Sequence, residues 1–130
     1  TVGTSDDQRL RFISTHFQHN VPEDRIAEAR TINRLFVNDK DPTPTILAGD
    51  MNAKPLEEPI KILFSKWACA IEDIPLPSSP SINPKSRIDY IFFCPANRIR
   101  LLSTKVINES VATAHFPVFA ELEILSSQQP

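Results

Sequence analysis

The sequence predicts a single α/β domain in which helices cover one face of a mixed β-sheet. The chain has 130 residues, which is the length of one ordinary domain. Hydrophobic residues make up 41% of the chain and charged residues 23%, a balance typical of a globular protein with a buried core. The third observation is the order of elements, because two strand–helix pairs are followed by three strands.

Two strand–helix units are predicted in the first half of the chain. Residues 10–16 alternate apolar and polar side chains, which is typical of a half-buried strand. Residues 22–37 start with a proline and two acids and then repeat apolar side chains at helical spacing. Residues 45–48 predict a short buried strand, and residues 54–64 predict a second helix with Pro59 near its start.

The second half of the chain is predicted to contribute three strands after a proline-rich loop. We expect residues 72–86 to form an ordered surface loop rather than a flexible linker, because predicted strands flank it closely. The strands are predicted over residues 87–93, 99–107 and 117–125. We find no internal repeat and no domain boundary.

Charge, cysteine spacing and hydropathy argue against several classes of protein. The net charge of −2 disfavours a protein held on nucleic acid or on a membrane mainly by bulk positive charge, although a local cationic cleft is compatible with it. Cys69 and Cys94 have no metal-ligand spacing and predict two free thiols in or near the core. No apolar run approaches the length of about 18 residues that predicts a transmembrane helix.

Four short motifs carry candidate chemistry, and each lies at the end of a predicted strand, where α/β proteins place their sites. They are "STHFQH" at residues 14–19, "LAGDMNAKP" at residues 47–55, "RIDYIF" at residues 87–92 and "TAHFPV" at residues 113–118. Taken singly, most of them have a structural explanation. His16 is explained by a hydrogen bond at a strand end, and Asp50 and Asn52 by a turn.

Asp89 is harder to explain as a structural residue. It lies between Ile88 and Tyr90 in an apolar strand, where an unpaired carboxylate is costly. It therefore needs a partner, and His115 is the candidate, with an expected separation of roughly 2.6–3.2 Å between heavy atoms. With His19 left as a surface residue, the motifs together offer two histidines, two acids and an asparagine. Phosphate-ester hydrolysis requires such a set, because it needs a base, oxygen ligands for a hard divalent ion and hydrogen-bond donors.

The four motifs, in this order, resemble those of the endonuclease/exonuclease/phosphatase superfamily, which includes deoxyribonuclease I. "GDMN" is similar to the family's Gly-Asp-(Phe/Met)-Asn motif, "RIDYIF" to its Arg-(Ile/Leu)-Asp-Tyr strand, "TAHFPV" to its Ser-Asp-His-x-Pro-Val motif and "STHF" to its Thr-His-Leu strand end. The resemblance covers residues 10–125. It implies a deoxyribonuclease I-like four-layer α/β sandwich, with mixed sheets face to face and helices outside. Residues 1–130 would form the C-terminal portion of that single domain.

The resemblance also implies roles for individual residues. The implied catalytic set is His16, Asp50, Asn52, Asp89 and His115. His16 would donate to the phosphate, Asp50 would orient or deprotonate the attacking water, and Asp89 would hold one ring nitrogen of His115. Asn52 and Arg87 would bind the substrate. Asp50, Asn52 and His115 would contact a magnesium ion, for which manganese is the alternative.

Two departures from the family pattern bear on activity. The family's upstream asparagine and glutamate motifs are not found in this sequence, although that glutamate is the principal metal ligand, and Ala114 stands where the family carries an acid. The leading hypothesis is a magnesium-dependent phosphoesterase that is incomplete in this chain, and the sequence leaves open whether this form is active. The alternative is a catalytically silent binding or scaffold module on the same fold, although the retained polar residues argue against it.

Expected partners follow from the same resemblance. The substrate would be a phosphoester, namely a small molecule, a lipid head group or a nucleic acid. The loop at residues 74–85 has no aromatic side chain for base stacking, which disfavours single-stranded nucleic acid. Half of a sandwich also exposes the apolar inner face of its sheet, which we expect to include Ile88, Tyr90 and Phe92 or the residues that alternate with them. That face predicts a partner, either the N-terminal half of the domain as a separate segment or a second copy of the chain.

Overall fold

The computed structural model describes residues 1–3 and 8–126, and this part of the chain contains seven strands and two helices. In chain order the elements are β1 (Val2–Gly3), β2 (Arg9–His16), α1 (Pro22–Phe36), β3 (Thr45–Asp50), α2 (Glu58–Phe64), β4 (Ala68–Cys69), β5 (Asp89–Cys94), β6 (Ile99–Val106) and β7 (Val118–Ile124). The predicted elements are all present. The two strands that were not predicted, β1 and β4, are each 2 residues long, which is too short to show an alternating pattern.

The strands form two sheets. A five-stranded sheet has the order β1-β2-β3-β5-β4, and β6 and β7 form a separate two-stranded antiparallel sheet. β2 and β3 are parallel and are joined through α1, whereas β5 runs antiparallel to both β3 and β4. The mixed sheet predicted from the order of elements is therefore confirmed, while the last two strands leave it and form their own sheet.

Helices α1 and α2 cover one face of the five-stranded sheet. Helix α1 begins at Pro22 and has Glu23 and Asp24 in its first turn, where acids interact favourably with the helix dipole. The helices and the sheet bury a common core, whose members are Phe17, Ala29, Ile32, Leu47, Met51, Ala53, Ile60, Leu63, Trp67, Tyr90, Phe92 and Cys94. Within the described ranges, neither helix has the length and apolar character needed to span a membrane.

The other face of the five-stranded sheet packs against the β6–β7 hairpin. Because side chains alternate along a strand, Ile91 and Phe93 lie on this inner face, whereas Tyr90 and Phe92 pack beneath the helices. Of the two sets of residues that the sequence left open for the inner face, the structure therefore selects the one that alternates with Ile88, Tyr90 and Phe92. Alternation identified the two faces of the strand, but the choice between them depended on where the helices pack.

The proline-rich loop between β4 and β5 is ordered by internal hydrogen bonds, as predicted. Backbone hydrogen bonds join Ser79, in the middle of the loop, to Ser86 near its C-terminal end. Within the loop, the side chains of Ser78 and Ser81 are buried. The strand that was predicted to start at residue 87 starts at Asp89 instead.

Both cysteines are free thiols, as predicted. Burial raises the pKa of Cys94 to about 11 and that of Cys69 to about 12. The thiols are therefore uncharged at neutral pH. Since the thiolate is the nucleophile and the metal ligand, neither cysteine is a candidate for the chemistry of this chain.

Gly49 permits the close pairing of β2 and β3. Its φ is 155°, and a β-carbon placed on it would lie 1.8 Å from the carbonyl oxygen of Thr15 and 2.8 Å from the carbonyl carbon. Both atoms belong to the backbone, so no rotamer change relieves the clash. The pairing of Thr15 with Gly49 also places His16 opposite Asp50. The glycine is therefore required for the register at the end of both strands.

Replacing Gly49 with alanine should destabilise the fold severely. We expect Gly49→Ala to lower the free energy of unfolding by about 3 kcal/mol or more, because the β-carbon forces β2 and β3 apart. Urea denaturation followed by circular dichroism measures the change. The matched control is Gly3→Ala, because a β-carbon on Gly3 meets no heavy atom of the described residues within 4 Å, apart from its chain neighbours, and should change stability by about 0.5 kcal/mol or less. Equal stability losses for the two variants would contradict this account.

Candidate active site

Three polar side chains form a row across the sheet at one edge. In the register of the strands, His16 on β2 pairs with Asp50 on β3, and Asp50 pairs with Asp89 on β5. The parallel strands β2 and β3 both end at this edge, and the antiparallel strand β5 begins there. The three side chains share the inner face of the sheet because alternation puts them on the same side as Ile91. Motifs far apart in sequence thus become neighbours.

His115 reaches the row from the loop between β6 and β7. Its Nδ1 atom lies 2.8 Å from Asp89 Oδ2 and 3.9 Å from Asp50 Oδ2. The contact between Asp89 and His115 that was predicted from the cost of an unpaired carboxylate is confirmed. Because Nδ1 faces Asp89, Nε2 is the ring atom left for any other partner.

Asp50 divides its two oxygens between the turn and the site. Oδ1 accepts the backbone N–H of Asn52 at 2.8 Å, which is the turn that the sequence suggested. Oδ2 lies 3.5 Å from Nε2 of the largely exposed His16 and 3.9 Å from Nδ1 of His115. One carboxylate oxygen is therefore directed towards both histidines.

Asn52 lies next to this group but is turned towards another loop. Its backbone is in the left-handed region, with a φ of 47°, and its side-chain amide donates to the carbonyl of Phe17 at 2.7 Å. A cavity of about 320 Å³ opens beside the row, and neither Asn52 nor His16 lines it. The lining residues are Ala48, Gly49, Asp50, Asp89, Tyr90, Ile91, Thr113, His115, Phe116, Pro117 and Val118. Asn52 therefore connects the β3–α2 turn to the residues that follow β2, and a role towards substrate stays a prediction.

Sequence reasoning assigned no role to two buried residues that organise the site. The hydroxyl of Tyr90 lies 2.7 Å from the carbonyl of Ala53 and 2.8 Å from that of Arg87, which ties the β3–α2 turn to β5. Burial raises the pKa of Tyr90 far above its usual range, so the hydroxyl keeps its proton. Ser78 donates to Asp89 Oδ2 at 2.8 Å. A tyrosine on the core side of a strand signals such a hydrogen bond, but nothing in the sequence singled out Ser78.

Arg87 requires a correction, because its position contradicts the predicted role in substrate binding. Its side chain is 1% exposed, and its guanidinium donates to the Glu72 carboxylate at 2.7 Å, to the Leu76 carbonyl at 3.2 Å and to the Asp89 carbonyl at 2.8 Å. All of these acceptors belong to the loop or to the start of β5. The guanidinium therefore stabilises the loop from inside and is not available to a phosphate.

Removing the Arg87 side chain should lower stability strongly. We expect Arg87→Ala to reduce the free energy of unfolding by about 3 kcal/mol or more, because Glu72 loses the partner of its partly buried carboxylate. The matched control is Arg100→Ala, which breaks an exposed ion pair with Glu123 and should cost at most about 1 kcal/mol. Urea unfolding of both variants measures the difference. An Arg87→Ala protein of normal stability would contradict this structural role.

One group among residues 1–3 and 8–126 has the composition of a metal site. Ligand atoms of Asp50, Asp89 and His115 all lie within 4.8 Å of one another. Two carboxylates suit a hard cation that prefers oxygen ligands. The Nδ1 atom of His115 already faces Asp89, which leaves only Nε2 for an ion. The amide nitrogen of Asn52 is directed at Phe17, and the predicted role of Asn52 as a metal ligand stays a prediction.

Comparison with protein families gives one match. Residues 9–111 match the model of the Endonuclease/Exonuclease/phosphatase family. A comparison with curated proteins found no match.

Several solved structures have a similar fold. An endonuclease/exonuclease/phosphatase family protein from Bacteroides thetaiotaomicron is 21% identical with a TM-score of 0.72, over 89% of this chain and 49% of that one. A mannosyl-6-phosphatase from the same organism is 21% identical with a TM-score of 0.74, over 94% and 54%. The human Nocturnin catalytic domain is 16% identical with a TM-score of 0.69, over 92% and 49%.

At these identities the likeness shows the fold alone, and the chain spans about half the length of each structure. The described chain has one helix layer, the five-stranded sheet and the small second sheet, which is the arrangement expected of part of a four-layer sandwich. On the strength of the family match across most of its length, the chain belongs to the endonuclease/exonuclease/phosphatase family and has the deoxyribonuclease I-like fold.

Proposed function

We propose that this chain is the C-terminal portion of a metal-dependent phosphoesterase, which hydrolyses phosphodiester or phosphomonoester bonds. The observation that carries the proposal is the convergence of four titratable side chains at one edge of the sheet, beside an open cavity. They are His16, Asp50, Asp89 and His115. Two carboxylates beside two imidazoles offer both a proton acceptor for water and donors for phosphoryl oxygens.

Each side chain has a task in this proposal. Asp50 Oδ2 accepts a proton from water as the water oxygen bonds to phosphorus. The bond from phosphorus to the leaving oxygen breaks, and the leaving oxygen takes a proton from solvent. His16 donates to the phosphoryl group, while Asp89 holds Nδ1 of His115 so that Nε2 faces the same phosphate. Asn52 contributes to phosphate binding from the turn that follows β3.

A divalent cation belongs to the proposal, with magnesium preferred and manganese as the alternative. Asp50 and Asp89 are the described residues that offer it carboxylate oxygens. When bound, such an ion neutralises charge on the phosphate and lowers the pKa of a bound water. No lysine or arginine is among the described residues that line the cavity. His16, His115 and the cation would therefore have to neutralise the negative charge of a substrate.

The substrate class is a phosphoester, and the described site favours a small one. Both aromatic rings at the cavity, Tyr90 and Phe116, are buried and offer no platform on which a base can stack. The name of one similar structure, a mannosyl-6-phosphatase, supports a phosphorylated small molecule. A lipid head group and a nucleic acid, which the sequence also allowed, are the other substrates to compare.

We further propose that residues 1–130 form part of a single domain whose other half covers the inner face at β2. The side chain of Phe12, on the same face as His16, is 55% exposed. The chain spans only about half of each similar structure, which supports an N-terminal half of the same domain as the cover. A second copy of the chain is the alternative.

A catalytically silent module on the same fold is the second candidate, and Ala114 is the observation that favours it. Ala114 is exposed and lies next to His115, where an acid would add an oxygen near the site. Its carbonyl accepts the backbone N–H of Ser81 at 2.8 Å, so the loop is held through its backbone. The side chain can therefore be changed without loss of this contact.

Introducing the missing acid separates the two candidates. In the polypeptide that contains both halves of the domain, we expect Ala114→Asp to raise magnesium-dependent hydrolysis of bis-para-nitrophenyl phosphate by roughly 10²–10⁴-fold. The reason is an added acceptor beside His115 and Asp50. Turnover is measured with magnesium and with a chelator, and para-nitrophenyl phosphate tests for a monoesterase.

Two controls make this experiment specific. Ala112→Asp adds the same charge to an exposed position of the same loop, two residues further from His115, and should give no gain. His115→Ala should abolish the activity of both forms. If Ala114→Asp gives no gain and His115→Ala changes nothing, the silent module is the correct assignment.

A further inference from the structure

Ser78 is a fully buried polar residue in the loop between β4 and β5, with 0% of its surface exposed. Its Oγ atom contacts three polar groups at the start of β5. It donates to Asp89 Oδ2 at 2.8 Å, and it lies 3.1 Å from the backbone nitrogen of Ile88 and 3.2 Å from that of Asp89. These contacts join residues that lie 10 or 11 positions apart in the sequence.

The hydrogen-bonding capacity of a hydroxyl determines the direction of these contacts. A serine hydroxyl has one hydrogen to donate and two lone pairs to accept with. The backbone N–H groups of Ile88 and Asp89 can only donate, so they occupy the lone pairs. The single hydrogen is therefore committed to Asp89 Oδ2, which must accept it.

The same carboxylate oxygen also faces His115. Nδ1 of His115 lies 2.8 Å from Asp89 Oδ2, and because an ionised carboxylate oxygen can only accept, the ring donates to the oxygen that also accepts from Ser78. This arrangement places a proton on Nδ1 and leaves Nε2 facing away from Asp89. The carbonyl of Ser78 in turn accepts the backbone N–H of Phe116 at 2.7 Å, so the residue holds both sides of the pair.

We infer that Ser78 is a positioning residue for the reaction proposed above, and its catalytic relevance rests on that proposal. Its hydroxyl selects one orientation of the Asp89 carboxylate, and its carbonyl fixes the segment that carries His115. Together they keep the proton of His115 on Nδ1 and direct Nε2 to the phosphate. The residue itself is buried beneath the pair and does not touch the substrate.

Kinetics of Ser78→Ala give the first test, in the two-half polypeptide carrying Ala114→Asp. We expect kcat to fall by about 10–100-fold, as is typical when a residue that orients a catalytic group is removed. KM should change by less than about threefold, because Ser78 makes no contact with substrate.

A double-mutant cycle separates positioning from general damage. In an Asp89→Asn background, adding Ser78→Ala should lower kcat by no more than about twofold further, since the hydroxyl acts through the carboxylate. Losses that multiply in the double variant would overturn the inference.

Ser81→Ala is the matched control. Ser81 is a buried serine of the same loop, and its hydroxyl donates to the carbonyl of Thr113 at 2.6 Å without contacting Asp89. We expect Ser81→Ala to lower the melting temperature, because a buried hydrogen bond is lost, while its kcat falls by less than about threefold. Equal losses of kcat in the two variants would show that any buried hydrogen bond of the loop has this effect.

The position of the proton gives a test that needs no turnover. In metal-free protein with ¹⁵N-labelled histidine, long-range ¹H–¹⁵N spectra at one fixed pH report which ring nitrogen of His115 carries hydrogen, with His115→Gln for assignment. We expect a protonated Nδ1 in the natural protein and a mixture with the Nε2–H tautomer in Ser78→Ala.

The spectra also distinguish the two proposals when one of them fails. If the two-half polypeptide carrying Ala114→Asp is inactive but Ser78→Ala changes the tautomer, the positioning role of Ser78 is supported and the proposed phosphoesterase activity is refuted. A natural protein whose His115 lacks a proton on Nδ1, or a Ser78→Ala spectrum without change, refutes the positioning role even if hydrolysis is observed. If Ser78→Ala does not fold, Ser78→Cys, which keeps a small side chain but only a weak donor, replaces it in the same comparison.

Discussion

The register among β2, β3 and β5 is the constraint on which the site depends. A slip of one residue in a strand sends every side chain to the opposite face. A slip of β3 would turn Asp50 towards the helices while His16 and Asp89 stayed on the inner face. The register is possible because Gly49 lets the backbone of β2 approach β3 more closely than any side chain allows. The geometry of the acids and the histidine is thus a consequence of backbone pairing rather than of attraction among the side chains.

The loop between β4 and β5 is an ordered surface loop that is held by buried polar side chains although it has no regular secondary structure. Buried polar side chains determine the conformation of this loop. Each of them needs a hydrogen-bond partner, because an unpaired buried polar group is costly. Arg87 binds Glu72 and nearby carbonyls from within, and Ser78 connects the loop to Asp89. The loop therefore supports the row of polar residues from beneath and holds the segment that carries His115.

The site lies at the boundary between a covered and an open part of the inner face. The β6–β7 hairpin covers the sheet at β5, whereas Phe12 on β2 remains largely exposed. His16 is on the open side and His115 on the covered side, with Asp50 between them. Electrostatic interactions strengthen when water is excluded, so whatever covers β2 also determines how strongly these charges act on a substrate.

The sequence by itself determined the order of elements, the four motifs and the partner of Asp89. These are properties that local periodicity and the cost of an unpaired carboxylate can reveal. The tertiary structure alone decided which face of β5 is the inner one, that β6 and β7 form their own sheet, and that Arg87 is turned inward. It also assigned Ser78 to Asp89 and the Asn52 amide to Phe17. The physical reason is that a side chain with several hydrogen-bond donors or acceptors binds the partners that the packing of distant segments brings within about 3 Å. The sequence around that side chain does not specify these partners.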